Sequence, residues 1–334
     1  MNLEGARIFM TGGSGFIGSH FVRDLLDAGA TVTVYDNFSS GREENLDGVE
    51  GSLDVIRGDI LDYEALRDAM RGHDAVSHQA AQLEITTSID DPIYDLTTNT
   101  IGTLNVLKAV AELGIGKVVE ASSAGVYGQA VTHLQDETHP TDPNWEYGVS
   151  KLACEKYAAI ACERTPGLAV TSLRYAIVYG EREWYGRVLT LFLKRALDGK
   201  PPVVFGQGDQ VRDFVYAGDI AQLHRRSLEV DTPGHLVLNG ATGTGTTVLD
   251  LARAVCEVTG LDDGPVFDDV AEGARSSLAD GRMRLPSELH AMRMSYQRAL
   301  DDVGWKPEVA LRDGLEREWR WLVDHPQRWT DMSY

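Results

Sequence analysis

The chain of 334 residues contains three cysteines, Cys154, Cys162 and Cys256, at unrelated spacings. With no CxxC pair and no Cys/His cluster the sequence offers no zinc site, and an odd count at this length argues against a disulfide framework. Cys154 and Cys162 fall in an Ala-rich helical stretch and read as small buried hydrophobes. No run of about 18 apolar residues is present to span a bilayer. The opening MNLEGARIFMTGG lacks a basic region followed by an apolar block, so no secretory signal is visible and a soluble, cytoplasmic protein is expected. Positive charge is also scarce: 31 Lys+Arg stand against 51 Asp+Glu, a net charge of -20. Nucleic-acid binding draws on clustered Lys and Arg, and an anionic membrane repels an acidic surface, so neither partner is expected. A small anionic ligand stays open, because one pocket of Arg and backbone amides can oppose the global sign. The excess acid is assigned to the outer surface.

What is present is an ordinary globular composition, 43% hydrophobic and 25% charged. The length exceeds the usual limit of one core, which favours two lobes. In the first half, short Val- and Ile-rich runs read as strands: Ala6–Met10, Thr31–Tyr35, Leu53–Arg57, Ala75–His78 and Lys117–Ala121. Helical stretches lie between them at Phe16–Ala28, Tyr63–Arg71 and Ile93–Leu113, and a helix at about Trp145–Glu163 leads to a strand at Leu168–Leu173. Strand and helix alternating at this spacing predict an α/β fold, a doubly wound parallel sheet covered on both faces. After about Tyr179 the rhythm changes. The expectation is a first domain over 1–178 and a smaller C-terminal α/β lobe over 179–334. Returns to the first domain are expected at about 213–240, through Phe214–Leu228 and Leu236–Leu238. The acidic, poorly periodic Leu261–Pro286 reads as loop, and helical patterns resume at Tyr296–Val303 and Leu311–Val323.

Thr11-Gly12-Gly13-Ser14-Gly15-Phe16-Ile17-Gly18 follows the first strand and opens the first helix. A GxxGxxG triplet alone is weak, since 34 glycines give about 0.3 of them by chance. Context decides. A helix N-terminus with bare N–H groups suits a pyrophosphate, and glycine lets the backbone approach it. Asp36 closes the second strand, where a carboxylate accepts hydrogen bonds from a ribose diol and repels a 2′-phosphate. NAD is therefore expected over NADP.

Tyr147-Gly148-Val149-Ser150-Lys151 sets a phenol and an ammonium four apart on one helix face. A phenol with a pKa of about 10 is a poor base at neutral pH, but a neighbouring ammonium and an oxidised nicotinamide each favour the phenolate. The fifth strand ends on Ser122 and Ser123. In a doubly wound sheet ligands sit beyond the carboxyl ends of the strands, which places Ser123 to bond a substrate oxygen.

TGGSGFIG, Asp36, Gly58-Asp59-Ile60, His78-Gln79-Ala80-Ala81, Asn99, SSAGVYG (Ser122–Gly128) and YGVSK occur in that order. Together they resemble the extended short-chain dehydrogenase/reductase family, in its NAD-dependent epimerase/dehydratase group acting on nucleotide sugars. Leu173–Gly180, Val203–Asp219 and Gly304–Pro307 extend the resemblance over nearly the whole chain. It implies Ser123, Tyr147 and Lys151 as the catalytic set. Along NAD it implies Gly12, Gly15, Phe16, Ile17, Gly18, Asp36, Asn37, Asp59, Ile60, Ala80, Ala81 and Asn99, together with Tyr147 and Lys151. On the substrate side, a UDP-sugar foremost, it implies Ser123, Ala124 and Tyr147, with Arg212 on the diphosphate through a bidentate guanidinium. A homodimer formed through the helices Ile93–Leu113 and Trp145–Glu163 is implied as well.

Group members share one opening step, oxidation of a sugar hydroxyl to a ketone, and diverge after it. The dehydratases carry an Asp–Glu pair where this chain has Ala124 and Gly125, and the uronate decarboxylases carry Glu at the position of Gly125. With neither acid, the resemblance implies epimerisation, at C4 foremost, with dehydratase, decarboxylase or keto-sugar reductase as the alternatives. Two positions depart from the family. Ile177 replaces a customary Asn, either as a core strand residue or as a lost substrate contact. Glu84 stands where a small or neutral residue is usual, either as a solvated carboxylate or as a residue facing the sugar and disfavouring a uronate. His133 and His139 read as surface-loop residues, and Trp184 and Tyr185 either stack a base or sugar or pack the lobe interface.

Overall fold

The computed structural model describes residues 1–183, 187–284 and 289–330. Trp184 and Tyr185 lie outside the described residues. One sheet of seven parallel strands organises the fold, formed by β1 (Arg7–Thr11), β2 (Thr31–Asp36), β3 (Leu53–Arg57), β4 (Ala75–His78), β5 (Lys117–Ser123), β6 (Ala169–Tyr175) and β11 (Gly234–Gly240), in the order β11-β6-β5-β4-β1-β2-β3. The strand order turns back between β1 and β4, leaving a crevice at the strands' carboxyl ends where such folds bind ligands. All seven residues of β6 and all four of β4 are buried, as strands covered on both faces must be.

One apolar layer packs the sheet against α1 (Phe16–Asp27) and α8 (Ala217–Glu229), through Phe21, Leu25, Ile220 and Leu223. The other face carries α2 (Tyr63–Met70), α5 (Gly102–Leu113) and α6 (Glu146–Arg164), with Leu66, Val106, Val110 and Ala158 inward. Two short helices, α3 (Ile85–Asp90) and α4 (Pro92–Leu96), follow β4. A third core joins α7 (Val188–Leu197), α9 (Val248–Thr259) and α11 (Leu311–Asp324). Around it lie the paired short strands β7 (Ile177–Tyr179) with β10 (Phe214–Tyr216), β8 (Val203–Phe205) with β13 (Val266–Asp268), and β9 (Val211–Arg212) with β12 (Thr246–Thr247). Helices α10 (Gln297–Val303) and α12 (Gln327–Thr330) complete the chain, and among the described residues no helix is long and apolar enough to cross a membrane.

Two expectations are corrected. The stretch Ile93–Leu113 is not one regular helix, because residues 97–101 form a wide π turn between α4 and α5. The side chain of Asn99, bonded on three sides, lies within that turn. Leu261–Pro286 is not all loop, since Val266–Asp268 pairs with Val203–Phe205. Three residues are too few for periodicity to register.

Candidate active site

At the end of β1, Gly12 has φ +71°, and a Cβ there would come 2.5 Å from the Ala80 amide nitrogen. A Cβ at Gly18 would collide with the Gly12 carbonyl oxygen, so only glycine allows β1, the turn and α1 to pack this closely. Gly15 is the N-cap of α1, which has no side-chain cap and no acidic residue in its first turn. The positive end of the helix is thus left to an outside anion. Phe16 and Gly18 are buried, while Gly12, Gly15 and Ile17 keep an open edge.

Asp36 sits 22 residues from Ser14 in sequence but accepts its N–H at 3.0 Å on Oδ2, while Oδ1 accepts from Phe38 N–H at 2.9 Å. Burial pushes its carboxyl up and the two amides pull it down. A carboxylate has about four acceptor sites, so a diol still finds acceptors here. Asn37 donates to Asp59 at 3.0 Å, tying the ends of β2 and β3 together. Ile60 is buried against Gly102, where a Cβ would collide with its side chain. The Ala80 N–H donates to Thr11 Oγ1, which also bonds His78, and Ala81 beyond it is half-buried. Burial and then the nearby Lys151 charge push His78 down to about 3, so it is a neutral imidazole held by Thr11 and Thr103.

At the end of β5, Ser123 Oγ accepts from Gly125 N–H at 3.0 Å and turns the chain. Helix α6 packs so closely there that a Cβ at Gly148 would collide with the Gly125 carbonyl oxygen. A Cβ at Gly125 would lie 3.4 Å from Ser123 Oγ and 3.7 Å from Tyr147 Cδ1, which places these two groups on either side of one small space. Lys151, only 5% exposed, donates from Nζ to the Ala121 carbonyl at 3.0 Å. Ser123, Tyr147 and Lys151 thus meet at the carboxyl end of the sheet. Ala124 is buried in the core, so it has only backbone to offer a ligand.

Asn99 is fully engaged. Its oxygen accepts from Gln82 N–H, and its amide donates to Asp95 and to Ser150, the residue before Lys151. It clasps helix α6 to the loop after β4. In that loop Glu84 is half-buried and accepts from Thr87 Oγ1 at 3.2 Å. Arg212 lies on β9, and the next residue, Asp213, is clamped by N–H groups of Thr242, Gly243 and Met294. Ile177 is a half-buried residue of β7 packed between two cores. His133 is exposed, but His139 is not a surface residue: it is 7% exposed, accepts from Val131 N–H and donates to the Pro140 carbonyl. Among the described residues no cluster of three metal-ligating side chains occurs.

Beneath this site lies a polar layer that the sequence motifs do not mark. Arg174 clasps both oxygens of Glu155 at 2.8 and 2.7 Å, Ser122 donates to the same Glu155, and Glu120 accepts from Ser172. One signal does point to it: a Glu after two valines in the strand KVVEASS must be buried with a partner.

A doubly wound sheet, a glycine turn open at a helix N-terminus, a strand-end carboxylate and a Ser/Tyr/Lys group at the same sheet edge define a dinucleotide-dependent enzyme working on a hydroxyl or carbonyl. Residues 8–239 match the model of the NAD dependent epimerase/dehydratase family, and the chain belongs to that family. Its cofactor is NAD. The chain is 31% identical to the UDP-glucose 4-epimerase of Mycolicibacterium smegmatis over 318 residues, 93% of this chain and 96% of that one. It is also 31% identical to the dTDP-glucose 4,6-dehydratase of Streptomyces niveus, over 98% of this chain and 96% of that one. The crystal structure of UDP-glucose 4-epimerase from Thermotoga maritima with UDP-glucose superposes with a TM-score of 0.86 at 33% identity, covering 96% of this chain and 99% of that one.

Proposed function

We propose that the protein epimerises a UDP-sugar at C4. The observation that carries this reading is Gly125: any side chain there would stand between Ser123 Oγ and Tyr147, and this chain has none. A dehydratase needs an added acid and base to eliminate water across C5 and C6, and a neutral Ala124–Gly125 supplies neither. The space left instead suits a keto sugar turning over between two half-reactions.

In this reading Tyr147 removes the proton of the C4 hydroxyl and Ser123 bonds the same oxygen, while the Lys151 ammonium favours the phenolate. NAD, when bound, supplies the acceptor and donor of hydride. Tyr147 returns the proton after the ring has turned, so no proton is gained or lost. Arg212 holds the substrate diphosphate, and Glu84 faces the sugar, where it disfavours a uronate. The test is a proton-NMR time course with UDP-glucose, UDP-glucuronate and the corresponding dTDP-, CDP- and GDP-sugars. A UDP-galactose anomeric signal growing to equilibrium from UDP-glucose is expected. A 4-keto-6-deoxy product would replace this reading with dehydration, and a marked uronate preference would sink the role of Glu84.

We further infer a homodimer, a reading supported by the exposed apolar residues Ile93, Leu96 and Ile101 along the α4–α5 segment and Val149, Tyr157 and Ile160 on α6. Sedimentation at twice the chain mass is expected, and a strict monomer contradicts it.

A further inference from the structure

The catalytic pair rests on a buried polar layer that the proposed reaction leaves unused. His78, Glu120 and Ser172 are register partners on β4, β5 and β6, so their side chains form one row across adjacent strands. Glu120 is 2% exposed, and its Oε1 accepts from Ser172 Oγ at 2.6 Å. Ser172 Oγ in turn lies 2.8 Å from Nε2 of His235, which is half-buried on the edge strand β11.

A buried carboxylate needs a cation. Among the described residues Lys151 and Arg174 are the buried Lys and Arg. Arg174 is committed to Glu155 through both carboxylate oxygens. Lys151 remains, and its Nζ bonds the carbonyl of Ala121, the residue next to Glu120. We propose that Glu120 is a positioning residue for Lys151, and that Ser172 and His235 connect its carboxylate to solvent as a proton path. The proposal rests on Tyr147 and Lys151 being the catalytic pair.

The neighbours leave Glu120 as the group of this layer that changes charge near neutrality. Burial pushes its carboxyl up to about 7, the Glu155 charge from α6 adds to that, and the Ser172 hydrogen bond and the Lys151 charge oppose it. Burial holds the Cys154 thiol up at about 11, raises the Cys162 thiol, and raises the Tyr175 phenol of β6 as well, so all three stay neutral. His78 is neutral on β4, and burial lowers His235 on β11.

Proton entry balances. An imidazolium at His235 gives its Nε2 proton to Ser172 Oγ as Ser172 passes its own proton to Glu120 Oε1. His235 ends neutral with its proton on Nδ1, and Glu120 ends as the acid. Ionised Glu120 offsets part of the Lys151 field and disfavours a phenolate at Tyr147, whereas the protonated acid leaves that field unopposed.

The test is kcat/KM against pH for the wild type, Glu120→Gln and Ser172→Ala, with UDP-glucose. In Glu120→Gln the acidic limb is expected to move to lower pH by at least about half a unit, the order a partly screened like charge produces. Ser172→Ala removes a donor to the carboxylate, raises the proton affinity of Glu120 and moves the limb in the same direction. It carries the test if Glu120→Gln does not fold. A uniform loss of rate with the limb in place means that Glu120 only fills space, and overturns the proposal. Infrared difference spectra give a readout free of turnover. Glu183 also titrates near pH 7, so the expected result is one buried carboxylic-acid band near that pH lost in Glu120→Gln and the other kept, and identical titrating bands in the wild type and Glu120→Gln overturn the proposal. Tyr147→Phe separates the two readings. Full activity in that variant refutes the catalytic pair, whereas its inactivity with an unmoved Glu120→Gln limb refutes the present proposal alone.

Discussion

Tyr147 and Ser123 border one small space because two residues there have no side chains. Gly148 could not carry a Cβ without striking the Gly125 carbonyl oxygen, and a Cβ at Gly125 would occupy the space between Ser123 Oγ, 3.4 Å away, and Tyr147 Cδ1, 3.7 Å away. The phenol so placed is the proposed base, and the shape of the pocket does not depend on its oxygen. Tyr147→Phe is therefore expected to fold normally, retain NAD and lose at least about 10²-fold in kcat, the contribution typical of a positioned base. Steady-state kinetics with thermal melting checks this, and wild-type turnover would remove Tyr147 from the mechanism. Ser123, Tyr147 and Lys151 are legible in the sequence because their spacing is tied to one strand end and one helix face. Glu120, Glu155 and Arg174 are not. Their meaning depends on which strands become neighbours, and that is fixed by contacts far apart in the chain, such as the Glu155–Arg174 ion pair at 2.7 Å.

At the level of elements, the first five strands and α1, α2 and α6 are readable from apolar runs and helical spacing, with ends off by a residue or two. The π turn at residues 97–101 is not, because the sequence IYDLTTNTIGTLNVL keeps helical composition straight through it. Such wide turns tend to mark functional places, and here the turn presents Asn99 to Gln82 and Ser150. The short strands β8, β9 and β13 are equally hidden, being two or three residues long. The packing of α1 on the glycine turn leads to a second prediction. Gly18→Ala drives a methyl group into the Gly12 carbonyl and forces the helix end away from its site. The purified variant is expected to hold far less NAD than the wild type, measured by absorbance of the deproteinised supernatant, and to melt lower. Full NAD content would show that the turn has room to spare.

For the whole molecule, the net charge of -20 is not confined to the outside. Among the described residues the buried Asp and Glu are eight and the buried Lys and Arg are two. Burial pushes Glu120 and Glu183 up to about 7 and Glu318 well above the carboxylate range, and both carboxylate oxygens of Glu183 and of Glu318 lack a hydrogen-bond partner. A carboxyl whose pKa is raised on folding binds more protons in the native state. Its stabilisation is present below the unfolded pKa near 4.5 and is lost as pH rises through the folded value. Glu120 and Glu183 are therefore expected to lower the melting temperature as pH rises from about 4.5 through about 7, while the buried His20, His78 and His224, whose values burial lowers, act in the opposite direction. Glu318→Gln removes one such carboxyl and should melt about 2–4 °C higher than the wild type at about pH 8, with a smaller advantage at about pH 5. An advantage that does not grow with pH would show that the Glu318 carboxyl is ionised at no cost. The order of strands has a further outcome during synthesis. The outer edge of β6 pairs with β11, which leaves the ribosome only after residues 176–233 have been made. Until residues 234–240 emerge, a seven-residue strand edge stands open to any passing chain. The nascent protein thus depends on protection from aggregation for longer than the length of its nucleotide-binding half would suggest, and His235, carried by that last strand, joins the sheet at the end.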